Sequence, residues 1–164
     1  MVNTMRFFSD KDPKKNYLNK AIIGLGVGLV RSNDLLLNPD FGPQGTMDVL
    51  GVWIGQEIVK EMINQKKIKP GISEKDLIKK LLDEIRLAKE LNLDFSDGLV
   101  NVAIQDCLIC PKRVGGYDLG KFTACPVGGI LLGALSYIRG ETPSLPKINL
   151  KPGQYCSLEL NIKN

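Results

Sequence analysis

The spacing of apolar positions along the chain predicts four helices. In two long stretches apolar residues recur every three or four positions, which is typical of a helix with one buried face. Thr46 and Ser73 can cap these two helices, and Pro126 suits the first position of a third that consists mostly of apolar and small residues. Asp12-Pro13 predicts a short helix before them. The predicted helices span residues 13–22, 46–65, 74–92 and 126–140.

The faces that these helices bury can also be predicted. In the helix over 46–65 the apolar stripe is formed by Leu50, Trp53, Ile54, Ile58 and Met62. Asp48 falls in the first turn of that helix, where a carboxylate suits the helix dipole. In the helix over 74–92 the buried face is predicted to comprise Leu77, Ile78, Leu81, Leu82, Ile85 and Leu91.

Two stretches have strand character instead. A run of β-prone residues leads from Leu99 into Cys107, after a change of pattern at Phe95. Near the C-terminus the apolar residues from Cys156 to Ile162 alternate with polar ones, which indicates a strand with one buried face, most simply in an antiparallel sheet. No repeat or linker interrupts the chain, so residues 1–164 are predicted to form a single domain.

Composition and charge exclude several classes of function. The 164 residues are 43% hydrophobic and 24% charged, as in an ordinary soluble domain. Histidine is absent, which excludes Ser-His-Asp and Cys-His nucleophiles and every imidazole metal site. A net charge of +4 gives no reason to expect a nucleic-acid partner.

The N-terminal region gives no indication of a membrane segment or of a nucleotide site. It lacks the pattern of a signal peptide, and the longest apolar stretch, residues 21–30, is half the ~20 residues that a membrane span needs. We therefore expect a cytoplasmic protein without a membrane partner. Gly24, Gly26 and Gly28 lie in this stretch, but Leu29 occupies the position where a dinucleotide fingerprint requires its third glycine.

Four cysteines carry the main chemical prediction: Cys107, Cys110, Cys125 and Cys156. A Cys-x-x-Cys turn directs two sulfur atoms at one point, and tetrahedral zinc takes four ligands. Cys125 precedes a predicted helix whose dipole favours a thiolate. The sequence therefore predicts one zinc ion held by all four, with no coordination position left for an activated water.

Other uses of the cysteines remain open at this stage. Rubredoxin-type iron would need a second Cys-x-x-Cys turn, and a 4Fe–4S cluster a denser run of cysteines. A thioredoxin-type dithiol would need the pair to open a helix, which Gly115-Gly116 disfavours. The remaining alternative is a set of plain buried thiols or disulfides.

The C-terminal half resembles the vinyl-reductase (hydrocarbon-binding) domain and, distantly, subunits of a vesicle-tethering complex. The resemblance rests on residues 124–135, on Arg139-Gly140-Glu141 and on residues 153–158, with a weaker match at Gly51 and Gly55. It implies an α+β fold in which helices pack on one face of an antiparallel sheet, with an apolar pocket between them. It also implies the binding of small apolar molecules and dimerisation through the helices.

The combined interpretation is a zinc-containing protein that binds a small apolar ligand and forms a homodimer through the helix over 126–140. Trp53, Tyr117 and Phe122 are candidate pocket residues, although most buried aromatic side chains simply pack. No catalytic residue is identified, so an enzyme is not favoured. The alternatives are a reductase that acts on a tetrapyrrole vinyl group and a scaffold or tethering subunit.

Overall fold

The computed structural model describes residues 3–6, 25, 42–96, 99–114, 116–141, 148–151 and 155–161. The helix predicted over 13–22 lies outside these residues. The described elements, in chain order, are β1 (Asn3–Arg6), α1 (Gly42–Asn64), α2 (Glu74–Ile85), β2 (Ala88–Ser96), β3 (Leu99–Cys107), α3 (Val127–Arg139), β4 (Ile148–Lys151) and β5 (Cys156–Asn161).

The five strands form one antiparallel sheet in the order β1-β2-β3-β5-β4. Strand β2 pairs with β3, and β4 pairs with β5. Pairing of β3 with β5 joins these two hairpins into one sheet. The chain between Cys107 and Ile148, which contains α3, therefore crosses one face of the sheet. The register aligns apolar residues in rows across the strands. In one such row Leu93 faces Val102, which in turn faces Leu158.

The helices pack on the face of the sheet that carries these apolar rows. Val100, Val102 and Ile104 of β3 are buried, and the residues between them are only partly covered. Leu131 and Leu135 of α3 belong to the same buried cluster as the inward residues of the sheet. The α+β fold with helices on one face is therefore confirmed. No helix in the described ranges is long and apolar enough to cross a membrane.

Helices α1 and α3 lie side by side and are in contact through glycines. A Cβ atom on Gly133 would overlap the carbonyl oxygen of Val52, and one on Gly129 would overlap that of Asp48. On α1, a Cβ on Gly51 would lie 2.7 Å from the carbonyl oxygen of Pro126. Residue numbers rise together along the two helices, because Gly129 contacts Asp48 and Gly133 contacts Val52. The two helices therefore run in the same direction. Small residues let their backbones approach closely.

This contact corrects the predicted orientation of α1. The buried residues of α1 include the glycines and Val52, Val59 and Met62, whereas Trp53 is 61% exposed. The predicted stripe of large apolar residues therefore does not define the buried face, because the glycine side admits α3 more closely. The helix also begins at Gly42 rather than at Thr46, whose hydroxyl donates to the carbonyl oxygen of Gly42.

The second predicted helix is shorter than expected. Its start is confirmed, because the Ser73 hydroxyl oxygen accepts a hydrogen bond from the backbone N–H of Asp76. The helix ends at Ile85, since Arg86 adopts a left-handed conformation with φ 44° and its N–H bonds to Leu82. Residues 88–92, predicted to be helical, belong to β2. The strand from Leu99 to Cys107, the helix that follows Pro126 and the C-terminal strand are confirmed.

Candidate functional site

The four cysteines all line one small cavity of about 60 Å³ at one end of the sheet. Its walls come from β3, β4, β5 and the loop over 108–126. We call it the cysteine cavity, and its lining residues are Ile104, Cys107, Ile109, Cys110, Pro111, Lys112, Leu119, Thr123, Ala124, Cys125, Leu150 and Cys156.

The strand register explains why two distant cysteines reach this cavity. Cys156 of β5 is paired with Ile104 of β3, so both side chains lie on the core face of the sheet. Cys107 ends β3, and the chain then turns into the loop that carries Cys110 and Cys125. The grouping of the four cysteines predicted from the sequence therefore agrees with their positions around one cavity.

Burial favours the protonated thiol at two positions of this cavity, Cys107 and Cys125. It raises the pKa of Cys107 to about 11, and the electrostatic influence of the neighbouring Cys110 and Cys156 adds to the rise. Burial also raises the pKa of Cys125, with further contributions from Cys107 and Cys156. Protonated thiols behave as small apolar groups and are poor nucleophiles.

The cysteines are not arranged as a metal site. Within the described ranges, no group of three or more His, Cys, Asp or Glu side chains is placed to hold a metal ion. Ile104, Ile109 and Leu150 share the cavity wall with the four cysteines. The predicted four-cysteine metal geometry is thus corrected. Bound zinc stays a prediction that only metal analysis of the purified protein tests.

Gln44 connects the loop of the cysteine cavity to the start of α1. Its side-chain amide nitrogen donates to the carbonyl oxygen of Cys125 at 2.9 Å, and its amide oxygen accepts from the N–H of Cys125 at 2.9 Å. The same nitrogen donates to Asp48 at 2.8 Å. The two bonds between Gln44 and Cys125 join residues that are 81 positions apart in the sequence. Nothing in the local sequence around Gln44 indicates this role.

Asp48 is a buried carboxyl group beside this connection. Its side chain is only 7% exposed, and burial raises its pKa to about 7 in spite of the hydrogen bond from Gln44. The expectation that Asp48 occupies the first turn of its helix is wrong. The helix begins six residues earlier, and the backbone carbonyl oxygen of Asp48 lies against Gly129 of α3 while its carboxyl group accepts from Gln44.

The three aromatic residues predicted for the pocket lie elsewhere. Trp53 is mostly exposed on α1, Tyr117 is 40% exposed in the loop over 108–126, and Phe122 is partly covered by the side chain of Lys121. None of the three lines the cysteine cavity. Their role in ligand binding stays a prediction.

A second, larger concavity of about 260 Å³ lies on the opposite, outer face of the sheet. Polar residues such as Asn92, Asn101 and Glu159 line it, and it contains no cysteine. The side-chain oxygen of Asn92 is buried there without a hydrogen-bond partner in the described part of the chain. The chemistry predicted from the sequence is therefore on the other face, at the smaller cavity.

Comparisons with known proteins agree on the fold and identify relatives. A model of the MJ0207 family matches residues 17–162. The chain is 31% identical over 157 residues to the uncharacterized protein MJ0207 of Methanocaldococcus jannaschii, covering 94% of this chain and 95% of that protein. It is also similar in structure to a trafficking protein particle complex subunit 3 from Naegleria fowleri covalently bound to palmitic acid, with TM-score 0.58 and 8% identity. That similarity covers 93% of this chain and 96% of the subunit, and shows a shared fold alone.

These findings overturn the assignment to the vinyl-reductase domain. The family match covers nearly the whole chain and is to another family, and the structural relative is a subunit of a trafficking complex. The more distant resemblance, to vesicle-tethering subunits, agrees with the fold. A reductase acting on a tetrapyrrole has no support among these matches.

Proposed function

Since the chain belongs to the MJ0207 family, we propose for this family member a non-catalytic role as an assembly subunit that binds an apolar ligand in the cysteine cavity. The observation that carries this proposal is the chemistry of the cavity wall. Ile104, Ile109 and Ala124 are buried, and burial raises the pKa of the thiols of Cys107 and Cys125. Ligand sites of this kind are concave and mainly apolar.

The size of the cysteine cavity limits what it can take without rearrangement. At about 60 Å³ it is smaller than the ~150 Å³ apolar cavity that accepts benzene. It fits the end of an alkyl chain, and a longer chain requires the loop over 108–126 to move outward. Short hydrogen bonds hold that loop, among them Lys112 Nζ to the carbonyl oxygen of Gly120 at 2.6 Å and the pair between Gln44 and Cys125.

Two facts support an assembly role rather than catalysis. The structural relative is a subunit of a multiprotein complex and carries an apolar acyl group. Among the described residues that line the cysteine cavity, Lys112 is the only Lys, Arg, Asp or Glu, and its amine is already bonded to a backbone carbonyl. An acid–base pair is not formed by the described lining residues.

The test is binding of a fatty-acid series, from octanoic to palmitic acid, by the wild type and two variants. Ala124→Leu fills the cavity from a buried position, whereas Ala103→Leu adds the same atoms on the outer face of the sheet. We expect Ala124→Leu to weaken fatty-acid binding at least about tenfold and Ala103→Leu to leave it unchanged within about twofold. Equal affinity of both variants would place the ligand outside the cavity, and an absence of binding by the wild type would contradict the proposal.

A further inference from the structure

The end of β3 directs a cysteine into the cysteine cavity. Val102 and Ile104 point inward along β3, so by alternation the next inward position would be Asp106. Asp106 instead adopts a left-handed conformation with φ 51°, and its exposed carboxylate lies 4.0 Å from the amine of Lys89. A left-handed residue interrupts the alternation of a strand, and aspartate tolerates this conformation better than most residues. The side chain of Cys107 therefore packs against the core in its place.

The sulfur of Cys107 lies against the backbone of Cys110. It accepts hydrogen bonds from the N–H groups of Ile109 and Cys110, and the chain bends at Leu108 and Ile109. Both cysteines line the cysteine cavity and are partly exposed. Because the sulfur of Cys107 is already bonded to the N–H of Cys110, rotation about the Cα–Cβ bond of Cys110 is the movement that brings the two sulfurs together.

The other two cysteines of the cavity are less suited as partners of Cys107. Cys156 lies opposite Ile104 in the register of β3 and β5, three residues before Cys107. Three residues of a strand span roughly 10 Å, beyond the ~7 Å between Cα atoms that a disulfide allows. Cys125 is fixed to the start of α1 by two hydrogen bonds of its backbone. Cys110 is therefore the partner that requires the least movement of the backbone.

We propose that Cys107 and Cys110 form a redox pair that a low-molecular-weight disulfide converts into an internal disulfide. In the first step the sulfur of one cysteine bonds to a sulfur of the reagent, the S–S bond of the reagent breaks, and one thiol molecule leaves. In the second step the other cysteine displaces the second reagent thiol, and the internal S–S bond forms. Two protein thiols are oxidised, one reagent disulfide is reduced to two thiols, and the protons of the protein thiols pass to the leaving groups.

The internal disulfide joins the end of β3 to the loop over 108–126. That loop forms much of the cavity wall, so oxidation restricts the outward movement that a longer alkyl chain requires. This consequence rests on the proposed ligand binding. Formation of the disulfide does not depend on a ligand, so its test succeeds or fails independently of the fatty-acid test.

Tryptic mapping of the oxidised full-length chain tests the proposal. The folded protein is incubated with glutathione disulfide over hours, because buried thiols exchange slowly, and the remaining thiols are alkylated before digestion. Tryptic peptide 90–112 contains Cys107 and Cys110 and no other cysteine. We expect this peptide to be unalkylated and lighter by two hydrogens, with Cys125 and Cys156 alkylated in other peptides. Reduction with dithiothreitol before alkylation should restore both alkylation sites of the peptide.

Single variants separate this pair from the other cysteines. Cys110→Ser should abolish the internal disulfide, and Cys156→Ser, the matched control at the same cavity, should leave its yield unchanged. In the wild type, peptide 90–112 found alkylated or carrying bound glutathione in place of the internal disulfide would overturn the proposal. So would a cross-link from this peptide to peptide 122–139 or 148–163, which contain the two remaining cysteines.

Discussion

At the scale of single residues, burial decides the chemistry of the ionisable groups in this protein. Cys107 and Asp48 both lie against apolar surroundings, and in both cases loss of hydration is the main cause of a raised pKa. For Cys107 the consequence is a neutral thiol at physiological pH. For Asp48 it is a carboxyl group that changes its charge near pH 7.

The first prediction concerns the pH dependence of stability. The pKa of Asp48 is about 7 in the folded protein and 3.8 is its ordinary value, so the folded state retains a proton that the unfolded state has released. The stability that this proton contributes is complete below about pH 4 and is lost as the pH rises through 7. Between pH 5 and pH 8 we expect the free energy of unfolding to fall by about 2 to 3 kcal/mol.

Asp48→Asn is the variant that isolates this effect. Its side-chain oxygen can still accept the hydrogen bond from Gln44, and it does not titrate. Urea unfolding at pH 5 and pH 8 should show a smaller pH dependence for Asp48→Asn than for the wild type. The same slope in both proteins would mean that Asp48 is not the titrating group.

At the scale of elements, the packing of α1 on α3 is set by glycines instead of by large apolar side chains. Gly51 of α1 faces Gly129 of α3, and Gly55 and Gly133 lie against the backbone of the opposite helix. At all four positions an added Cβ would meet backbone atoms of that helix or of Pro126 at its start. Backbone atoms cannot move aside as the end of a flexible side chain can. The contact therefore tolerates no side chain at these positions.

We expect Gly133→Ala to destabilise the protein by about 3 kcal/mol or more, because the new methyl group would overlap the carbonyl oxygen of Val52. Helix propensity alone would make Gly133→Ala stabilising by ~1 kcal/mol, because alanine favours a helix more than glycine does. A loss of stability would therefore identify the packing against α1 as the dominant effect. The control is Glu57→Ala at an exposed position of α1, where the change should stay within about 0.5 kcal/mol. Denaturant midpoints measure both, and a stabilised Gly133→Ala would contradict the close packing.

At the scale of the whole molecule, α3 has little free surface for a partner. Most of its residues are buried within the chain, between α1 and the sheet. The near absence of charge in its sequence thus reflects a central position, and it does not by itself indicate a dimer interface. Trp53 on α1, at 61%, is the most exposed of the large apolar and aromatic side chains in the described part of the chain.

If the proposed assembly role includes self-association, we expect it to depend on Trp53. Sedimentation velocity over a range of concentrations should show a dimer for the wild type, and Trp53→Ser should lower the dimer affinity at least about tenfold, since buried tryptophans dominate interface energies. Tyr137→Ser, at a second exposed aromatic position on α3, is the comparison variant. A wild type that stays monomeric at high concentration would contradict the homodimer prediction.

The sequence by itself determined the local structures whose signals are short-range. The Ser73 cap, the helix that follows Pro126 and the alternation after Cys156 each depend on a few neighbouring residues, and each is confirmed. The end of α2 was missed because Leu91 was assigned to the helical stripe, although Leu91, Leu93 and Phe95 alternate with polar residues as in a strand. Pairing of β2 with β1 and β3 decided between the two.

The tertiary structure decided which faces meet. The grouping of the four cysteines was predicted, but their spread around an apolar cavity depends on Ile104, Ile109 and Leu150, which the cysteine spacing does not reveal. Likewise the bonds of Gln44 to Cys125 and the burial of Asp48 join parts of the chain that are about 80 residues apart. Contacts between α1 and the start of α3 form because glycines allow the two backbones to approach closely. The pattern of apolar residues along one helix does not show which element packs against it.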